Sequence, residues 1–305
     1  MNNPILRRGL AWLATLFAVH AACFLLVRGV RGGPFDQERS LPPEVEASLR
    51  QQFHLDESLW RQYGRSLGQV LRGDFGPSMR YRDVEVGQIL ADSLPVSLAL
   101  GGLALGVALA FGISGGLWAA FRRGFGFSLA FRFMTSLFLA VPNFVVAGVG
   151  ILIFSFILGW LPPAGYGSLR HWILPSFALG LPFAAQIGRL SRNAALEVLE
   201  SPDFRTARAK GLPPGPLLFR HVLPQVLIPV SAFLGPASAG LLTGSLVIEQ
   251  VFALPGMGAH FVQAALNRDY TLSLAVTLIY TALLGACTFA ADLLAKWLDP
   301  RVEAI

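Results

Sequence analysis

Six stretches of the chain carry no charged residue and are long enough to cross a bilayer, which takes about 20 apolar residues. They run over 9–27, 93–121, 133–169, 171–188, 221–248 and 270–291. Composition supports reading them as transmembrane helices. Of 305 residues, 54% are hydrophobic and 14% charged, against about 25% charged in ordinary globular domains. The 32 Gly and 20 Pro would break soluble helices, but both are commoner in membrane spans. Disorder, a collagen-like repeat and a disulfide scaffold are excluded. The two cysteines, Cys23 and Cys287, lie inside apolar runs and read as neither redox nor zinc sites. The expected fold class is an all-α polytopic membrane protein with six transmembrane helices.

The lengths refine the helix boundaries. The third stretch includes the turn Gly159-Trp160-Leu161-Pro162-Pro163-Ala164-Gly165, so its helix should end near Leu158. The fourth is short and should continue past Arg189 as an amphipathic extension. The second and fifth could reach about 42 Å at 1.5 Å per residue, so they should tilt or project from the hydrocarbon. Arg7 and Arg8 precede the first stretch, but no small-x-small cleavage pattern follows it. An uncleaved anchor is expected.

Lys and Arg in the short flanks set the orientation. With both termini cytoplasmic, the inner positions are Arg7, Arg8, Arg122, Arg123, Arg132, Arg189, Arg192, Arg205, Arg208, Lys210, Arg220, Lys296 and Arg301. The short outer loops then hold only Arg170 and Arg268, which is thirteen against two. The other nine arginines fall in 28–92 beside ten acidic residues, so the basic balance reflects topology, not nucleic-acid binding. The expected division is a cytoplasmic N-terminus (1–8), a first helix (9–27), an extracytoplasmic helical cap (28–92) and a five-helix core (93–305). In the cap, Leu41-Pro42-Pro43-Glu44-Val45-Glu46 reads as a helix start. Leu49, Phe53, Leu55, Leu59, Tyr63 and Leu67 then recur near helical spacing, before a turn over 71–78.

The inner connection between the fourth and fifth spans is the most informative segment. It reads Ser201-Pro202-Asp203-Phe204-Arg205-Thr206-Ala207-Arg208-Ala209-Lys210-Gly211-Leu212, then Pro213-Pro214-Gly215-Pro216, and then Leu217-Leu218-Phe219-Arg220-His221-Val222-Leu223-Pro224. Asp203 is expected to cap a short helix. Gly211 falls where a C-terminal cap would, and the prolines prevent continuation. A compact, basic, small-residue helix at 203–212, held between two spans, is shaped to dock into a groove of another protein. Without the order of cap, alanines, glycine and prolines it would be an ordinary basic inner loop.

At these residues the chain resembles the permease subunits of ABC-type importers, whose inner loop follows Glu-Ala-Ala, three residues, Gly, nine residues, then Ile-x-Leu-Pro. Gly211, Ala207, Leu223 and Pro224 match that pattern; Arg205, Thr206 and His221 stand in place of Glu, the first Ala and Ile. Those departures are similar to the dipeptide/oligopeptide branch, in which a string like 205–212 is characteristic. Further motifs of that branch occur in order: Gly73-Asp74-Phe75-Gly76-Pro77-Ser78, Val141-Pro142-Asn143-Phe144, Arg189-Leu190-Ser191-Arg192, the run 249–258, Arg268-Asp269-Tyr270 and Leu298-Asp299-Pro300-Arg301-Val302. The outer segment after the first span resembles the first of the two permease types in these systems, with a type I importer fold.

The resemblance implies that 203–212 is a coupling helix seated in a cleft of an ATPase subunit. Ala207 and Ala209 would permit close approach, Gly211 would end the helix, and Arg205, Arg208 and Lys210 would pair with acidic groups around the cleft. Asp203, Thr206, Leu212, His221 and Pro224 belong to the same segment, with His221 read as an interfacial packing or hydrogen-bonding residue. A second permease subunit, two ATPases and an extracytoplasmic solute-binding protein are implied as partners in a bacterial or archaeal cytoplasmic membrane.

The chain itself should hydrolyse nothing. It has no phosphate-binding Gly-Lys pair, no His-Glu-x-x-His and no Cys/His cluster. No cofactor or metal is expected on it; ATP and Mg would be used by the partner ATPases. Polar groups within spans are candidates for the substrate path. Glu249 could attract a peptide amino terminus or pair locally, and Asn143 and Gln186 could line the path or bond between helices. The segment 254–267 reads as a short outer helix partly re-entering the bundle, or else as a plain turn. An ATP-independent secondary transporter or channel is the alternative function, but no inverted repeat is visible. An intramembrane enzyme would need a catalytic dyad, and none stands out.

Overall fold

The computed structural model describes residues 4–29, 42–81, 83–122 and 124–298. Positions 30–41 of the expected cap, Arg123, Arg301 and positions 299–302 of the terminal motif lie outside the described residues. The described chain is helical apart from connecting segments: α1 (Pro4–Gly29), α2 (Pro43–Gln52), α3 (Leu59–Leu71), α4 (Val86–Phe121), α5 (Phe125–Ala140), α6 (Asn143–Gly150), α7 (Arg170–Glu200), α8 (Pro202–Ala209), a single turn α9 (Pro214–Pro216), α10 (Leu223–Val251), α11 (Met257–Leu266) and α12 (Tyr270–Leu298). Two π-helical stretches, Ile151–Ile157 and Leu217–Val222, continue α6 and lead into α10. Five helices are long and apolar enough to cross a membrane, and α5 with α6 makes a sixth crossing if the bent pair counts as one span. Two compact units result, Met1–Val96 with Gly256–Leu283 and Ser97–Pro255 with Leu284–Ile305.

In the first unit α1 is anchored by one face only. Tyr63 of α3 sets its ring edge-on to Phe17 and Phe24 and 5.2 Å from His20, while Leu13, Leu25 and Leu26 are exposed, as a lipid-facing helix requires. The described part of the cap forms two helices, α2 and α3, with a corner between them. His54 adopts φ 53, and buried Gln62 donates to the carbonyls of Leu55 (3.0 Å) and Glu57 (2.7 Å), clamping the corner. The motif 73–78 then turns through Gly73 and Gly76, both at positive φ, where only glycine avoids a steric penalty. Buried Asp269 accepts hydrogen bonds from the Ser78 hydroxyl, Met79 N (3.2 Å), Thr271 Oγ1 (3.0 Å) and Leu272 N (3.1 Å). Two motifs 191 residues apart are thus one structural knot. Within 254–267 the helix is Met257–Leu266, and Met257 and Ala264 of α11 pack with Val86, Ile89, Leu90, Leu272, Ala275 and Val276.

The second unit is organised by a seam of small residues. Ala104, Ala108, Gly112, Gly116 and Ala120 recur every fourth residue on α4, facing Gly180, Ala184, Gly188 and Ser191 of α7. A Cβ on Gly116 would lie 2.4 Å from the Gly188 carbonyl, on Gly112 2.8 Å from that of Ala184, and on Gly180 2.6 Å from that of Ala104. Close backbone approach through small residues is a common way for helices to associate in lipid, where burial of apolar surface drives little. Contact positions rise together along both helices, so α4 and α7 run parallel. Parallel neighbours require the intervening chain to cross back. The α5–α6 pair is therefore one broken span, not a re-entrant loop.

The third span is not one straight helix. The pair bends by 104° between Ala140 and Asn143. Pro142 has no N–H for the helical ladder and forces Val141 into extended geometry (ψ 125). The expected end near Leu158 is where the π-helical stretch stops. The fourth span continues to Glu200, as its amphipathic pattern predicts.

Candidate coupling helix and intramembrane polar sites

The end of α7 delivers the chain into α8 through one residue. Ser201 is extended (ψ 149), its Oγ accepting from Phe204 N (3.2 Å) and donating to the Val198 carbonyl (2.7 Å). The cap is therefore Ser201 and not Asp203, which sits in the first turn and complements the helix dipole. The physical reason is local. Pro202 favours extended geometry in the residue before it and is itself suited to the first helical position. The dipeptide Ser201-Pro202 carried that signal.

The other end closes with a Schellman motif. Lys210 is the C-cap, Gly211 follows at φ +77, and Gly211 N donates to the Arg208 carbonyl (3.0 Å) while Leu212 N reaches that of Ala207 (3.4 Å). The helix thus spans Pro202–Ala209, shorter than the expected 203–212, with Lys210, Gly211 and Leu212 forming its terminating turn.

Its two faces differ. Phe204 and Ala207, three residues apart, are buried; Phe204 packs in one cluster with Ala195, Val222 and Val226. Ala207 therefore faces its own chain, correcting its assignment to close approach of a partner. Asp203, Arg205, Thr206, Arg208, Ala209, Lys210 and Gly211 are exposed. Thr206 turns its hydroxyl back to the Pro202 carbonyl (2.9 Å), so the outer chemistry consists of three cations, the Asp203 carboxylate of the first turn and Ala209. Among the described residues no carboxylate pairs with Arg205, Arg208 or Lys210.

Beyond α8, His221 is half-buried in the π-helical stretch and Pro224 is exposed in the first turn of α10. Pro224 has no N–H to offer the Arg220 carbonyl, and the wider turn precedes it. Phe204, which no sequence argument singled out, binds α8 to both α7 and α10. Its signal was its place as the one large apolar residue in a charged segment.

The intramembrane candidates occupy different environments. Glu249 is fully buried near the end of α10 and accepts from Ser97 Oγ of α4 at 2.7 Å. Ser97 carried no sequence signal, being one of many span serines. Asn143 opens α6 directly after the bend, and Gln186 lies on α7 between buried Ala185 and Ile187; both are half-buried. Neither side chain makes a hydrogen bond among the described residues. No group of three or more His, Cys, Asp or Glu suited to a metal ion occurs among the described residues.

Comparison with known proteins adds identity to this geometry. Residues 112–304 match the family described as binding-protein-dependent transport system inner membrane component. The chain is 42% identical to the oligopeptide transport system permease protein OppB of Escherichia coli (strain K12), over 99% of this chain and 100% of that protein. It is 41% identical to OppB of Haemophilus influenzae over the same shares. Identity to the dipeptide transport system permease protein DppB of Bacillus subtilis is 36%, over 99% and 98%. Among solved structures, a chain of an amino acid ABC transporter with histidines aligns with TM-score 0.49 and 16% identity, over 70% of this chain and 94% of that one.

Proposed function

From the premise that the chain belongs to the binding-protein-dependent transport system inner membrane components, we propose that it forms half of the translocation path of an ATP-driven importer for oligopeptides or dipeptides. Its relatives are named for those solutes. The proposed assembly pairs it with a second permease subunit, two ATPases that use ATP and Mg, and an extracytoplasmic solute-binding protein. Solute-binding proteins present cargo from outside, so the direction is inward.

The observation that carries the coupling role is the construction of α8. A helix capped at both ends, seated on its own chain by Phe204 and Ala207 and exposing Arg205, Arg208 and Lys210 with Asp203, Thr206 and Ala209, suits a rigid lever. Movement of such a helix by a closing pair of ATPases is transmitted to α7 and α10, because Phe204 packs with residues of both. Arg205, Arg208 and Lys210 are assigned to acidic groups of the ATPase cleft. Asn143 and Gln186 are assigned to the path, since their amides have no partner that the fold already supplies. Glu249 is assigned to local pairing with Ser97.

The test is reconstitution. Peptide uptake into proteoliposomes should require the ATPase subunits and ATP, and uptake by the permeases alone would overturn the importer reading in favour of a secondary transporter. Gly211→Leu should insert normally yet lose most ATPase association or uptake, because a left-handed φ costs a bulky residue about 1–2 kcal/mol. Unchanged uptake by that variant would remove the coupling role.

A further inference from the structure

We propose that a basic pocket between α5 and α7 holds the headgroup phosphate of an anionic phospholipid from the inner leaflet. The pocket, about 310 Å³, is lined by Phe131, Arg132, Ser136, Arg189, Arg192 and Asn193. That volume is at the lower end for small-ligand sites. Three guanidiniums meet there, and among the described residues none of them pairs with a carboxylate. Clustered like charges without a counter-ion are unfavourable unless an anion joins them.

Two of the three are held in place. Arg189 donates from Nε to Thr135 Oγ1 (3.0 Å) and from Nη2 to Ser136 Oγ (2.6 Å), and Arg192 donates from Nη2 to Ser128 Oγ (2.8 Å). Arg192 Nε is buried without a hydrogen-bond partner among the described residues. Arg132 is exposed, and its side chain makes no hydrogen bond among the described residues. Spare donors in a fork geometry match the oxygens of a phosphodiester.

The surroundings select a lipid over a soluble anion. Ser128, Arg132 and Ser136 form one stripe of α5 at four-residue spacing. Phe125, Leu129, Phe133 and Leu137 form the neighbouring stripe, and all four are exposed, Phe133 at 65%. One side of α5 therefore offers a phosphate site and an apolar track along which an acyl chain can lie. The level is also right. Arg132, Arg189 and Arg192 belong to the inner basic flank, and Arg122 lies over the Trp118 ring (5.7 Å) at the end of α4, an interfacial anchor of the usual kind. Basic pockets between spans on the cytoplasmic side are suited to acidic lipid headgroups.

The experiment uses the full chain in its assembled complex, in nanodiscs of phosphatidylcholine with a minor fraction of phosphatidylglycerol. Native mass spectrometry counts the lipid retained. Wild type should keep phosphatidylglycerol in preference to phosphatidylcholine, and Arg132→Gln should weaken that retention by roughly fivefold, with Arg132→Lys between them. Arg132 supports no other side chain, so the variant should fold; its melting temperature is the control. Equal retention of the two lipids by wild type overturns the proposal without any variant. Undiminished phosphatidylglycerol in Arg132→Gln also overturns it. Displacement of the lipid by inorganic phosphate or glycerol phosphate would show a free-anion site. Displacement by a tripeptide, but not by its C-terminal amide, would give the cluster to the cargo instead; either result overturns the lipid assignment.

Discussion

Ser201, Gly211 and Asp269 each hold a turn that their neighbours cannot. Ser201 satisfies an orphan N–H at the start of α8, so Ser201→Ala should destabilise the connection by about 1 kcal/mol. Asp203→Ala should cost less, about 0.5 kcal/mol, because it removes a dipole interaction and no capping bond. Limited proteolysis of the inner loop in the two variants measures the order, and equal cleavage rates would contradict the cap assignment. Asp269 gathers four donors onto one buried carboxylate. Asp269→Ala leaves those donors without their acceptor and should lower stability by about 3 kcal/mol, while Ser78→Ala should cost about 1–2 kcal/mol. Thermal unfolding in detergent gives both values.

Among the helices, α4 and α7 depend on the absence of side chains. Gly116→Ala places a Cβ 2.4 Å from the Gly188 carbonyl oxygen, and that oxygen is backbone, so the helices must separate. Overpacking of this kind costs about 1–3 kcal/mol. Gly102, on the same helix with nothing within 4 Å of its would-be Cβ, should accept alanine with no loss. A melting-temperature comparison of the two variants separates a packing effect from a change in helix propensity. The bend between α5 and α6 follows a different rule, because Pro142 breaks the ladder from within the chain.

Across the whole chain, the parallel run of α4 and α7 makes α5–α6 a crossing, and six crossings return the chain to the side on which it began. Reporter fusions test this directly. A periplasm-active reporter should be silent after Arg8 and after Lys210, and active after Gly64. Activity after Lys210 would reverse the topology and remove α8 from the side where ATP is available. Helix packing sets the parallel run of α4 and α7, while the charge asymmetry sets which side is cytoplasmic.

The spans, their orientation and the coupling segment were legible because each depends on local composition. Twenty apolar residues, a flank of arginines, or Gly211 before four residues rich in proline have the same meaning wherever they occur. The family motifs were legible too, as strings. What those strings do was not, since their partners lie far off along the chain: Ser78 meets Asp269, Ser97 meets Glu249, and Gly116 meets Gly188. Periodicity could not distinguish Ala207 from Ala209 either. Their side chains are alike, and only the position of Phe204 against Val222 and Val226 turns one inward and the other out. Local chemistry set the helices and the side of the membrane they face; which atoms touch depends on close packing between distant segments, and that exists only once the chain has folded.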